Sequence, residues 1–443
     1  MTTEISIAGP PAATVVAERR FFHPATWVPT LYTAEGLPFV MVNVVSVFMY
    51  KSLGLSDSKI AFFTSLVAIP WMIKPLWGAL IEMFRTKKTF VLAAEFGGGI
   101  SFGLVALSLH LPFWFAGTLI FFGLCAINSS VHDTAADGIY VTVLNAKQQA
   151  KWVGWQGAFY NVGKIVSQGG FVLAAGVLEK RYGPVMAWTM VFCAFGLLMI
   201  IIGLWHLLFL PSGGRAKPVS AAQAAGTFLD VLVTFFRKKY ILWGIVFLVL
   251  YRFAEGLAIK IAPLFLRAAR DHGGLGLSTE DAGWLYGVFP PIAFVLGSIA
   301  AGYFTAGRGL RKSLLLLCAA FNIPFAVYLF LALAQPADRS IITVLVSLEW
   351  LGYGFGFVGL VLFMMQQIAP GPYRTAHYSF ATSLMGFGFL IPSSMSGYLS
   401  DALGYQKFFL LVMLATIPSF LISWLVPFRD TSKEAPPDAA RME

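Results

Sequence analysis

Charge is scarce in this chain. Only 12% of its 443 residues are Asp, Glu, Lys or Arg, about half the roughly 25% of a soluble domain, so most of the chain cannot face water. Cysteine is scarcer still. Cys125, Cys193 and Cys318 each sit in an apolar run with no pairing or metal-ligand spacing. That excludes a disulfide framework or zinc module and leaves lipid- or core-facing roles. No Gly-x-x-x-x-Gly-Lys-Ser/Thr run occurs, which argues against ATP-driven work. With no nucleophile–base pair and no metal cluster in view, neither an enzyme nor a cofactor is expected. The first twenty residues lack an apolar stretch behind a basic start, so a cleaved signal peptide is not expected.

What fills the chain is apolar: 58% hydrophobic residues and a mean hydropathy of +0.76. A helix crossing the ~30 Å hydrocarbon core needs roughly 20 apolar residues. About twelve stretches qualify, near 25–50, 57–82, 89–110, 113–144, 149–178, 184–210, 239–266, 279–304, 312–334, 340–368, 374–400 and 405–427. They are long and lack the period-2 alternation of barrel strands, so helices are implied. The expected class is an all-α polytopic membrane protein with twelve transmembrane helices.

The chain also repeats itself. Ala34-Glu35-Gly36-Leu37 is followed by Leu53-Gly54-Leu55-Ser56. Beginning 220 residues later, Ala254-Glu255-Gly256-Leu257 is followed by Leu275-Gly276-Leu277-Ser278. Gly176-Val177-Leu178 with Gly183 resembles Gly397-Tyr398-Leu399 with Gly404. Such a repeat predicts two six-helix bundles with a small-molecule site between them near the bilayer midplane. The boundaries read as a polar tail 1–22, a first bundle 23–210, a linker 211–238, a second bundle 239–428 and a polar tail 429–443. In the linker, Phe228, Leu229, Val231, Leu232, Phe235 and Phe236 recur at helical spacing beside Arg237-Lys238-Lys239. A short helix on the membrane surface fits this pattern, and so does a flexible connector. Pro70, Pro75, Pro290, Pro291 and Pro392 fall within spans and should kink them.

The net charge of +10 is topological rather than a nucleic-acid footprint. With the N-terminus inside, nineteen Lys and Arg fall on the cytoplasmic side and eight on the other, as the positive-inside rule describes. Both tails and the linker are then cytoplasmic. His110 and His206, near helix ends, read as interfacial, and Trp27, Trp152 and Trp424 suit an aromatic belt.

A few charges remain inside the spans, where each costs roughly 2.5–3.5 kcal/mol at mid-helix. Asp133 and Asp137 lie one turn apart on a shared face, with His132 beside them. They need a cavity or partners, and Lys74 and Lys164, both deep in uncharged runs, are the available cations. The others are Glu35, Glu95, Arg252, Glu255, Lys260 and Glu349, of which Glu35 and Glu255 are repeat mates. Some should be structural pairs, Arg252 with Glu349 for example. His132 has no second His or Cys nearby, so no metal is assigned to it. Trp155-Gln156, Tyr160-Asn161 and Gln366-Gln367 can hydrogen-bond a sugar or peptide, and helix contacts explain them equally well. An ion gradient is the remaining energy source, and carboxylates beside cations suit protons.

Several of these groups resemble a known family. Gly78, Glu82, Arg85, Lys87 and Lys88 lie between the second and third spans, where the major facilitator superfamily carries a Gly, an acidic residue and a basic cluster. Glu stands here for the more frequent Asp. The second half offers Gly302, Arg308, Arg311 and Lys312 without the acidic member. Asp133-x-x-x-Asp137, Leu53-Gly54-Leu55-Ser56, Ile73-Lys74-Pro75 and Tyr251-Arg252…Glu255 resemble muropeptide permeases (AmpG-type) and their acetyl-coenzyme A transporter relatives. His132 stands where that group often has Gln. The resemblance covers nearly all of 25–427.

It implies a secondary transporter that works by rocking two bundles, with Gly78, Glu82, Arg85, Lys87 and Lys88 as a gating loop. The substrate and proton cavity would be lined by Glu35, Lys74, His132, Asp133, Asp137, Lys164, Arg252 and Glu255. Proton-coupled import of peptidoglycan fragments by a monomer in a bacterial inner membrane is the expected activity. Siderophores and coenzyme A conjugates are the alternative cargoes. A non-transporting assembly factor or sensor on the same fold is the rival class, and intramembrane charges of both signs argue against it.

Overall fold

Apolar runs of this length form helices because only a helix satisfies every backbone polar group within its own segment, and each described element is helical. The computed structural model describes residues 23–55, 63–64, 66–67, 69–214, 221–277 and 289–429. Residues 1–22 and 430–443 of the polar tails, Ser56 and Ser278 of the repeat marks, the starts of the second and eighth spans, part of the linker and the Lys260 side chain lie outside the described residues.

In the first half, α1 is Pro24–Val40, continued by a π-turn at Met41–Val45 and by Ser46–Ser52. The next helices are α2 (Ile69–Met72 and Lys74–Met83), α3 (Lys87–Ser108) and α4 (Trp114–Val143). Then come α5 (Ala146–Ile165, extended through Val166–Phe171 and Val172–Tyr182) and α6 (Pro184–Phe209). A linker helix, Ala221–Phe236, leads to α7 (Ile241–Tyr251 and Phe253–Arg267) and α8 (Phe289–Arg308). The second half continues with α9 (Leu310–Asn322 and Ala326–Ala334) and α10 (Arg339–Phe363, then Met364–Ile368). The run Arg374–Ala415 turns at Gly404, which divides α11 from α12; α12 ends with Ile417–Leu425. Among the described residues, ten runs are long and apolar enough to cross a membrane. The last of them holds both α11 and α12, and α2 completes twelve.

The repeat in letters is also a repeat in backbone. Gly183 (φ 75°, ψ 166°) opens α6 and Gly404 (φ 71°, ψ 158°) opens α12. Gly54 and Gly276, inside the Leu-Gly-Leu marks, have φ of 82° and 64°. Glycine alone enters this region without steric cost. Ile73 (φ −100°, ψ 22°) breaks α2 just before Lys74-Pro75, as the proline leads one to expect. Arg252 (φ −100°, ψ 8°) breaks α7 with no proline nearby.

Among the described residues, apolar packing joins the halves at one end and not at the other. A single apolar cluster at the end bearing the termini mixes Trp27, Tyr140 and Leu144 with Phe247, Leu314 and Phe363. At the other end the clusters are separate, one around Phe102, Phe122 and Phe192 and one around Phe265, Tyr328 and Phe409. Close backbone approach makes the joined end possible. A Cβ on Gly154 would lie 2.4 Å from Ile299 Cα, and one on Gly302 would lie 2.7 Å from Ala150 O, so α5 and α8 cross with nothing between them.

Candidate transport site

The centre of the site is on α4. Successive helical residues leave the axis about 100° apart, whereas residues four apart share a face. Asp133 and Asp137 therefore point together and His132 points elsewhere. Lys74 Nζ on α2 forms an ion pair with Asp133 Oδ2, and Glu35 on α1 lies within hydrogen-bonding reach of the same carboxyl. Asp137 Oδ1 accepts from Tyr32 Oη at 3.2 Å and from Gln156 Nε2 at 3.4 Å. Helices α1, α2, α4 and α5 thus converge on three carboxyl groups and one ammonium. Glu35 is 9% exposed and Asp133 8%, and Glu35 Oε2 is buried without a hydrogen-bond partner. One cation cannot compensate three desolvated carboxylates. The arrangement is suited to holding a proton. Tyr32 gave no sequence signal of this role, being one tyrosine among 15.

Lys164, the other cation expected here, makes no ion pair among the described residues. Its Nζ lies 5.7 Å over the Tyr160 ring.

The second half supplies a separate pair. Arg252 Nε and Nη2 donate to Glu255 Oε2 and Oε1, each at 2.6 Å, and Tyr353 Oη donates to Glu255 Oε1 at 2.9 Å. The guanidinium carbon lies 5.4 Å from the Phe357 ring and 4.6 Å from that of Phe389, a cation–π sandwich. The expected Arg252–Glu349 pair does not form, because the break in α7 folds Arg252 onto its own next turn. Glu349 instead accepts from Tyr328 Oη at 3.0 Å. Glu255, Glu349, Tyr328, Trp350 and Tyr353 line one pocket between α7, α9 and α10.

His132 does not join the Asp133 cluster. Its Nε2 lies 3.1 Å from Glu95 Oε1 on α3, and His206 Nδ1 on α6 lies 2.6 Å from the same oxygen. His206 is fully buried, which corrects its interfacial reading: the Glu95 carboxylate in the bundle interior needs donors. His110 is exposed and bonds to Thr189 at 3.0 Å.

The loop residues sit at the joined end. Glu82 Oε1 accepts from the Thr375 backbone N–H at 2.7 Å at the start of α11, and Lys87 Nζ lies 3.6 Å from Glu82 Oε2. A Cβ on Gly78 would be 2.8 Å from Ala376 Cα, so α2 and α11 touch there. Lys88 Nζ donates to Leu207 O at 2.9 Å, and Arg85 adopts φ 56° in the turn. Arg374 Nη1 donates to Val141 O at 3.3 Å, a further bond between the halves. The linker helix braces the same corner, with Val231 and Phe235 buried and Tyr373 Oη donating to Asp230 Oδ2 at 2.7 Å. Burial and the Asp230 carboxylate push the Tyr373 phenol up to about 12, so it remains a donor.

Comparison with known proteins agrees with this architecture. An uncharacterized protein of Haemophilus influenzae is 22% identical over 90% of this chain and 94% of its own length. A Rickettsia bellii protein named as transporter AmpG 1 is 21% identical over 81% of this chain and 87% of its own. Among solved structures, the transporter FucP in its outward conformation superposes with a TM-score of 0.67 at 12% identity, covering 94% of this chain and 100% of that one. The Escherichia coli fucose:proton symporter FucP gives 0.66 at 14% over the same shares; at such identities the likeness speaks for the fold alone. The family model described as Major Facilitator Superfamily matches residues 30–371. The chain belongs to the Major Facilitator Superfamily: it is a multi-pass membrane transporter and not an enzyme.

Proposed function

We propose that the protein is a proton-coupled importer of peptidoglycan fragments (muropeptides), or of an amphiphile of that kind, across a bacterial inner membrane. It acts as a monomer with both tails and the linker in the cytoplasm. The observation that carries this reading is the Glu35–Asp133–Asp137 cluster around the single ammonium of Lys74. A proton arriving on Asp133 dissolves its ion pair and lets α2 move against α4. The far end of α2 carries Glu82, which holds α11. One helix therefore links the charge at the cluster to the clasp at the joined end. With the termini cytoplasmic, the joined end is the closed cytoplasmic gate, and cargo and proton enter from the opposite side. Opening the gate exposes the cluster to the cytoplasm, where Lys74 reclaims Asp133 and the proton leaves. Trp155, Gln156, Tyr160 and Asn161 on α5 offer stacking and amide groups to a sugar–peptide. The relatives named AmpG support the choice of cargo.

Uptake of a radiolabelled muropeptide by the purified protein in liposomes tests this. An inward proton gradient should drive accumulation, and a protonophore should abolish it. Accumulation that ignores the protonophore refutes coupling. Transport of a siderophore or a coenzyme A conjugate, with none of the muropeptide, refutes the cargo.

A further inference from the structure

Glu95, His132 and His206 meet inside the first bundle, on the side of α4 away from Lys74. The His206 Nδ1–Glu95 Oε1 distance of 2.6 Å is that of a short, charge-assisted hydrogen bond. The other His206 nitrogen, Nε2, lies 2.9 Å from Thr30 Oγ1, and Thr30 Oγ1 lies 3.2 Å from Trp27 O. Thr30 has a single hydroxyl hydrogen to place. Given to Trp27 O, it requires His206 Nε2 to donate to Thr30, so that both ring nitrogens carry hydrogen and every donor in the row has its acceptor. A neutral His206 that donates from Nδ1 to Glu95 must accept at Nε2, so the Thr30 hydrogen turns there and the contact with Trp27 O is unmade.

His132 is placed differently. Its Nε2 reaches the same Glu95 oxygen at 3.1 Å, but its Nδ1 is buried with no partner. Charging it as well would bury an unpaired N–H, and Glu95 has one negative charge to offer.

We propose that Glu95 and His206 form a second proton-binding site, closed off from the cavity, whose proton ties α3 and α6 to α1 through Thr30. His132 from α4 and Thr30 from α1 face the pair directly. The next charges on the packed helices belong to other groups: Asp133 pairs with Lys74, Glu35 on α1 lies beside that pair, and Lys88, at the start of α3, donates to Leu207 O. Thr30 precedes Glu35 by five residues on α1, so this proton helps set the position of a helix that lines the cavity. The site is independent of the cargo and of the coupling assigned above.

The full chain, labelled with ¹⁵N-histidine and held in lipid nanodiscs at pH 7.5, reports the hydrogens on each ring by NMR. An isolated histidine is only about a tenth charged at that pH. The signal lost in His206→Gln identifies His206. Should that variant not fold, replacing the other histidines one at a time identifies it by elimination. Two hydrogens are expected on the His206 ring and one on that of His132. Glu95→Gln should leave His206 with one, and Thr30→Val should shift the His206 Nε2 signal alone. A His206 ring with one hydrogen in the unaltered protein overturns the proposal, as does an imidazolium that survives Glu95→Gln.

Discussion

A methyl group added at Gly154 should drive the molecule out of the state described. Its Cβ would lie 2.4 Å from Ile299 Cα, 2.5 Å from Ser298 O and 2.6 Å from Ile299 N. Carbon atoms in ordinary contact stay about 3.5–4.0 Å apart, so α5 and α8 must part by about 1 Å. The atoms met are backbone and cannot rotate aside. Overpacking of this order costs about 1–3 kcal/mol, equivalent to roughly 5- to 150-fold in a two-state equilibrium. The cost falls on the state joined at the termini, since the crossing lies eight residues into α5, about 12 Å at 1.5 Å per residue. Spin labels at the exposed positions Lys151 and Arg308, with Cys125, Cys193 and Cys318 replaced by alanine, measure the separation across this end. Gly154→Ala should add a longer distance to the distribution, and Gly154→Val should make it dominant. Gly302→Ala, whose nearest contact is 2.7 Å, should act less strongly. An unchanged distribution in a stably folded Gly154→Val would refute the idea that the crossing gates this end.

Further expectations concern the cluster, the clasp and the topology. Asp133→Asn and Asp137→Asn should fold normally and lose gradient-driven accumulation while partly keeping exchange of cargo, measured in liposomes; unchanged uptake by both removes these residues from coupling. Lys74→Met leaves Asp133 uncompensated and should cost about 3–5 kcal/mol in thermal unfolding, whereas Lys74→Met with Asp133→Asn should recover much of that stability without recovering coupling. Glu82→Gln weakens the charge-assisted bond to the Thr375 N–H, worth about 1.5–3 kcal/mol, and should raise labelling of cysteines placed at the terminal end; equal labelling would refute the clasp. Reporter fusions should place both tails in the cytoplasm and Gly273 opposite them, and a tail found outside would reverse the assigned direction of import.

Periodicity, charge and repetition carry far here because the bilayer leaves few alternatives. A span must be helical and apolar, so its length and number can be read one segment at a time. Each Leu-Gly-Leu mark holds its glycine at positive φ because the constraint lies within the residue itself. That Asp133 needs a cation was also legible, with Lys74 and Lys164 both on offer, and the structure pairs it with Lys74.

Where a side chain turns depends on neighbours that the sequence does not order in space. His132 adjoins Asp133 in the chain but faces another helix pair, and His206 looks interfacial by position yet is buried against Glu95. Arg252 met Glu255 rather than Glu349 because a backbone break with no proline brought the i+3 partner nearer. The amino-acid sequence by itself determined the helices, their number, the two-fold repeat and the store of intramembrane charge, all properties of single segments against lipid. The tertiary structure alone decided which charges meet, which end is closed and where a second buried proton site can exist, because those depend on helices hundreds of residues apart coming within a few ångströms.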